Sequence, residues 1–261
     1  MTRVAVVTGA ARGIGAATVR GLAADGWTVV AVDRAADDPR LPYRMGSAGE
    51  LRSVAVAAGV DRVTAVAADA ADVQALRQVL EDTESRYGGV DAIVAVAGVI
   101  AGGVPLWEMP IDEQNAVIDV NLGGALAAAR AGIPVLLRRP PPREGRFIAV
   151  ASCAASRGLP MLAAYCAAKA GVVGLVRALG AELRGTGITA NAVSPGSTRT
   201  SLLEESARLY GLNSAADFAA QQPIERLLEP EEIAALIVWI AGPAGSGLTG
   251  ADLPIDGGLS L

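Results

Sequence analysis

Tyr165 and Lys169 stand four residues apart in the stretch YCAAK, and Lys169 is the only lysine among the 22 Lys and Arg residues of a 261-residue chain. The chain has no histidine. Proton transfer near neutral pH usually draws on imidazole, so acid–base chemistry here needs another group with a displaced pKa. At i and i+4 of a helix two side chains share one face, with Cβ atoms about 5–6 Å apart. An ammonium that close favours a phenolate, which predicts a Tyr165 pKa pulled from about 10 toward neutrality. Lysine's compact head on a flexible stem also reaches ribose hydroxyls that a planar guanidinium would fit poorly. The plain alternative is an exposed pair on a helix surface. The Ala and Gly residues around the pair weigh against it. Without histidine a Ser-His-Asp triad is impossible, and Cys153 and Cys166 are too few for a disulfide framework or an expected zinc site. Cys166 reads as a small core residue.

A second constellation is TGAARGIG, residues 8–15, which closes a strand-like run and opens a helical pattern. Gly9, Gly13 and Gly15 permit a tight turn and let backbone N–H groups approach a diphosphate at a helix N-terminus. The spacing is GxxxGxG rather than GxGxxG, and a ligand-free turn is the competing reading. Asp33 ends the next strand-like run, 18 residues after Gly15. A carboxylate there accepts both adenosine ribose hydroxyls and repels a 2′-phosphate, which favours NAD over NADP. Arg34, the next residue, could accommodate that phosphate.

These residues need a frame. Apolar runs at 3–8, 27–33, 62–68, 91–98, 146–152 and 188–194 read as strands, and 14–25, 48–58, 72–87, 112–138 and 161–184 as helices. Near-continuous apolar strands alternating with helices predict an α/β fold, a Rossmann-like doubly wound parallel sheet flanked by helices, in one domain over residues 1–261. The prolines of RRPPPREG (138–145) end a helix. With 52% hydrophobic but only 3% aromatic residues, the core must be Ala, Val, Leu and Ile. A net charge of −5 gives no electrostatic reason to expect nucleic acid or an anionic membrane surface. No uninterrupted apolar run looks long enough to span a bilayer, and MTRVAVVTGA lacks a signal-peptide pattern, so the expectation is a soluble cytoplasmic protein.

Taken in order, TGAARGIG, Asp33, AAD ending at Asp69, VNLGG around Asn121, VASCAAS with Ser152, YCAAK, NAVSPG (191–196) and PIDGG (254–258) span nearly the whole chain. The chain resembles the short, single-domain branch of the short-chain dehydrogenase/reductase family. The resemblance implies that Tyr165 is the general acid/base, and that Lys169 lowers its pKa and holds the nicotinamide ribose. It implies that Ser152 orients the substrate oxygen and that Asn121 holds a water in a proton relay. Gly9, Arg12, Gly13, Ile14, Gly15, Asp33, Arg34, Asp69, Ala70, Ala97 and Gly98 would line the adenosine and diphosphate half. Pro195, Gly196, Thr198 and Thr200, in SPGSTRT, would border the nicotinamide, with the Thr200 hydroxyl on its carboxamide. The chain departs from the family at 95–98, where AVAG replaces the usual NNAG.

The length between the second and third strands, AVAGVIAGGVPLWE and AAYCAAKAGVVGL are similar to the subgroup associated with the redox cofactor mycofactocin. That narrower resemblance implies non-exchanging NAD whose electrons pass to mycofactocin as external acceptor. The resemblance also implies a homotetramer. A small apolar alcohol or ketone is the expected substrate, in a pocket walled by Val99, Ile100, Leu106, Trp107, Met109, Leu159 and the segment 200–222. The rival from another class is a non-catalytic NAD-binding or regulatory protein on the same fold. An epimerase or dehydratase of the longer family branch is disfavoured by the short region after residue 196.

Overall fold

The computed structural model describes residues 2–261. Its central strand, β1 (Val4–Thr8), is buried along its whole length and carries three valines, side chains that suit a pleated surface covered on both faces. It is followed along the chain by α1 (Gly13–Ala24), β2 (Thr28–Asp33), α2 (Ala48–Ala58), β3 (Val63–Ala67), α3 (Val73–Tyr87) and β4 (Ala92–Ala95). Then come α4 (Ile111–Ile118), α5 (Gly124–Arg138), β5 (Arg146–Val150), α6 (Ala163–Glu182), β6 (Thr189–Pro195), α7 (Ser201–Leu209), α8 (Pro230–Ala241) and β7 (Asp252–Ile255). Among the described residues these seven strands form one sheet in the order β3-β2-β1-β4-β5-β6-β7, every neighbour parallel. The register sets Val6 beside Val30 on one side and Ile93 on the other.

The helices cover both faces. Val19, Leu22, Leu51, Val54, Ile233, Ile237 and Ile240 bring α1, α2 and α8 onto one. Leu76, Leu80, Ala128, Val135, Val172 and Val176 bring α3, α5 and α6 onto the other. Local chemistry fixes the helix ends. Ser47 and Glu50 form a reciprocal capping box on α2, Asp72 caps α3, and Gly88 closes it at φ 80. Strand order reverses between β1 and β4, so the carboxyl ends diverge there and open a crevice.

The structure departs from the sequence reading at three places. β4 stops at Ala95 and β5 at Val150, because at the crevice the chain leaves the sheet to line it. The expected helix 112–138 is split by a π-helical turn, Asp119–Gly123. Two helices, α7 and α8, were not anticipated. Ile111–Arg138 and Ala163–Glu182 are long and apolar enough to cross a membrane by length and composition, although charged residues such as Asp119, Arg130, Lys169 and Arg177 interrupt both. Here both stretches pack on the sheet, through residues such as Ala128, Val135, Val172 and Val176.

Candidate active site

A cavity of about 530 Å³ runs along the crevice from the ends of β2 and β3 to the start of α7. Tyr165 and Lys169 project into its middle from α6 and are only 7% and 3% exposed. The Lys169 Nζ donates to the Val150 carbonyl at 2.9 Å and lies 5.7 Å from the centre of the Tyr165 ring. Ser152, two residues past the end of β5, also lines the cavity. Its Oγ accepts the Ala154 N–H at 3.2 Å, which opens a single 3₁₀ turn and holds the hydroxyl in place.

Asn121 sits behind the cavity wall, in the π turn, a type of helix distortion frequent at functional sites. Its Nδ2 donates to the carbonyls of Val99 and Val117, both at 2.8 Å. Its Oδ1 is buried and has no hydrogen-bond partner among the described residues. A Cβ at Gly98 would lie 2.9 Å from that oxygen and 3.5 Å from Lys169 Nζ. Glycine at 98 therefore keeps open the gap between amide and ammonium.

The electrostatics correct one expectation. Burial pushes the Tyr165 phenol well above its ordinary range, and the Ser152 hydroxyl offsets only part of that. The same burial pulls the Lys169 ammonium down from 10.5 to about 8. Four-residue spacing brings the two groups close, but the ammonium is turned to a backbone carbonyl. Within the polypeptide, desolvation therefore outweighs charge attraction.

At the other end, the loop of residues 8–15 makes a cradle. Gly9 and Gly13 have φ of +66 and +55, and a Cβ on Gly15 would lie 2.0 Å from the Gly9 carbonyl oxygen. α1 begins at Gly13 with no side-chain cap from Arg12, so its first N–H groups are free to meet an anion. Arg12, Gly13, Ile14, Asp69, Ala70, Ala97 and Gly98 all border the same cavity. Asp33 joins them, its Oδ2 accepting from Ala11 N–H and its Oδ1 from Ala35 N–H, each at 3.0 Å. The AVAG departure has a local compensation. The Thr8 hydroxyl accepts from Val96 and Ala97 N–H at 3.2 and 3.4 Å and so fixes the strand end. These residues fit a dinucleotide, because the cradle leaves room only where side chains are missing.

Pro195, Gly196, Thr198 and Thr200 border the far end. The Thr200 hydroxyl donates to the Thr198 carbonyl at 3.2 Å and accepts Leu203 N–H at 3.3 Å, capping α7. Of the expected apolar wall, Val99, Ile100 and Leu159 line the cavity. Leu106 and Trp107 do not; they are 47% and 83% exposed, and Met109 packs into a neighbouring cluster. Leu202, Tyr210 and Phe218 take their place, from the segment 200–222. A strap from Arg34 to Gly46 borders the cavity beside the cradle. It is held by the Arg12 side chain on the Arg44 carbonyl (3.1 Å), by Ile100 N–H on the Tyr43 hydroxyl (2.9 Å), and by Leu41 in the core. The extra length after β2 was legible in the sequence, but not where it lies.

Residues 9–260 match the family described as enoyl-(acyl carrier protein) reductase. The chain is 36% identical over 258 residues to the short-chain reductase protein NovJ of Streptomyces niveus, covering 98% of this chain and 93% of that one. It is 35% identical over 258 residues to cis-4-hydroxycyclohexanecarboxylate dehydrogenase of Sinomonas cyclohexanicum, covering 98% and 96%. Among solved structures, carveol dehydrogenase from Mycobacterium avium in complex with NAD matches with a TM-score of 0.92 at 28% identity, over 98% of this chain and 97% of that one. With a cradle, a buried Ser-Tyr-Lys set and these matches over almost its full length, the chain belongs to the short-chain dehydrogenase/reductase family.

Proposed function

We propose that the protein is an NAD-dependent oxidoreductase that interconverts a small apolar alcohol and its ketone. The observation that carries this reading is the placement of Ser152, Tyr165 and Lys169 where the glycine cradle meets an apolar cavity end. A bound nicotinamide supplies or accepts the hydride. The chain's own residues handle the oxygen and its proton. Ser152 orients the substrate oxygen, and Tyr165 gives it a proton in reduction or takes one in oxidation. The raised phenol pKa keeps Tyr165 protonated at neutral pH, which suits the donor role. Lys169, close to half-titrated near pH 8, holds the nicotinamide ribose and favours the phenolate when protonated. The free Oδ1 of Asn121 receives a water that carries the proton from Lys169 to solvent.

Asp33, clamped by two backbone N–H groups at the end of β2, supports NAD over NADP. The NAD carried by the Mycobacterium avium relative supports the same choice. The strap at the cavity edge supports slow nucleotide exchange, and the subgroup resemblance supports mycofactocin as the external electron acceptor. A cytoplasmic homotetramer completes the reading. Denaturing extensively dialysed protein and quantifying the released nucleotide tests it. Near one NAD(H) per chain supports captive NAD, and little or none supports exchange with free NAD. No bound NAD(H), together with no NADH formed from added NAD and secondary alcohols, would overturn the reading.

A further inference from the structure

We propose that Asp38 fixes the nucleotide preference of this chain by occupying Arg34, the cation that would otherwise receive a 2′-phosphate. This rests on the NAD reading above and adds a second determinant to Asp33. Arg34 has the position of a phosphate receptor: it follows the strand end, borders the cavity, and its side chain is 36% exposed. Its partners deny it that role. Its guanidinium NH1 donates to Asp38 Oδ2 at 2.8 Å, and its Nε lies 3.6 Å from Asp69 Oδ2.

Asp38 is not free to move aside. Its side chain is 2% exposed. Its Oδ1 accepts the backbone N–H and the Nε of Arg40, both at 3.0 Å, and its Oδ2 accepts Arg40 NH2 at 2.9 Å. Arg40 is itself tethered to Asp119, the first residue of the π turn, at 2.7 Å. Charge-assisted bonds of this kind are short and geometrically selective. A 2′-phosphate arriving at Arg34 would meet a guanidinium already facing two carboxylates, Asp38 and Asp69, with Asp33 on the same cavity wall. Asp38 thus stands in for the phosphate, as an anion the chain already carries.

The test titrates NAD+ and NADP+ calorimetrically into wild type, D38N, R34A and D38N/R34A, after charcoal removes any nucleotide carried through purification. In D38N the affinity for NADP+ relative to NAD+ rises about tenfold or more, the worth of one freed charge-assisted contact. The gain vanishes in D38N/R34A. An unchanged ratio in D38N, or a gain that persists without Arg34, would overturn the inference. Should D38N fail to fold, R34A decides. Its NADP+ affinity stays within about twofold of wild type if Arg34 is already taken, and falls about tenfold if the phosphate uses it. Wild type that binds neither nucleotide, or prefers NADP+, would instead refute the NAD reading itself.

Discussion

Replacing Lys169 with methionine should make the protein more stable at neutral pH while removing a group the chemistry needs. The ammonium is 3% exposed and its pKa falls from 10.5 to about 8, entirely through burial. At about 1.4 kcal/mol per pH unit, that gap is a penalty of about 3 kcal/mol on the folded state. Methionine is unbranched, similar in length and uncharged, so it removes the penalty. It also leaves the Val150 carbonyl without the 2.9 Å bond from Nζ, a loss of about 2 kcal/mol because the donor is charged. K169M should therefore be about 1 kcal/mol more stable at pH 7. The pH dependence gives the sign. Below pH 8 lysine is protonated in both states and the penalty is complete. Between about 8 and 10.5 the folded chain releases its proton while the unfolded chain keeps it, so wild type gains stability as pH rises. Tyr165, whose pKa is raised in the fold, loses stability only above its ordinary 10, and does so in both proteins. Urea unfolding of both proteins at pH 7, 8, 9 and 10 reads the difference. The advantage of K169M should shrink steadily above pH 8. A difference that is flat across this range, or a K169M that is less stable at pH 7, would refute the reasoning.

Gly15→Ala should abolish nucleotide binding by calorimetry, since its Cβ would lie 2.0 Å from the Gly9 carbonyl and force the cradle open. Alcohol oxidation needs the phenolate, and burial holds Tyr165 protonated, so kcat/KM for oxidation should rise about tenfold per pH unit from pH 7 upward until Lys169 loses its charge near 8. Ketone reduction should stay level over the same interval.

That the glycine loop, Asp33 and the Tyr165–Lys169 pair line one cavity was legible because each rests on short spacings along one turn or one helix. The alternation of apolar runs likewise made the parallel sheet legible. What failed depends on facing and burial. Spacing put Lys169 near Tyr165 but could not show that both are desolvated or that Nζ is turned to Val150, so the expected direction of the tyrosine shift was wrong. Apolar side chains in 99–110 could not be divided into wall and surface, and Leu106 and Trp107 proved exposed. Apolar periodicity runs straight through 112–138, so nothing marked the π turn that carries Asn121. Arg34 looked available for a phosphate because Asp38, four residues on, is brought to it only by the fold of the strap.

The measurement closest to the central claim compares wild type with Tyr165→Phe for NAD(H) binding and for turnover of a secondary alcohol. Phenylalanine keeps the buried ring and removes only the proton-carrying oxygen. The account predicts nucleotide affinity within about twofold of wild type and a loss of turnover of about a hundredfold or more. Turnover that survives the substitution would contradict it and leave a nucleotide-binding protein in its place.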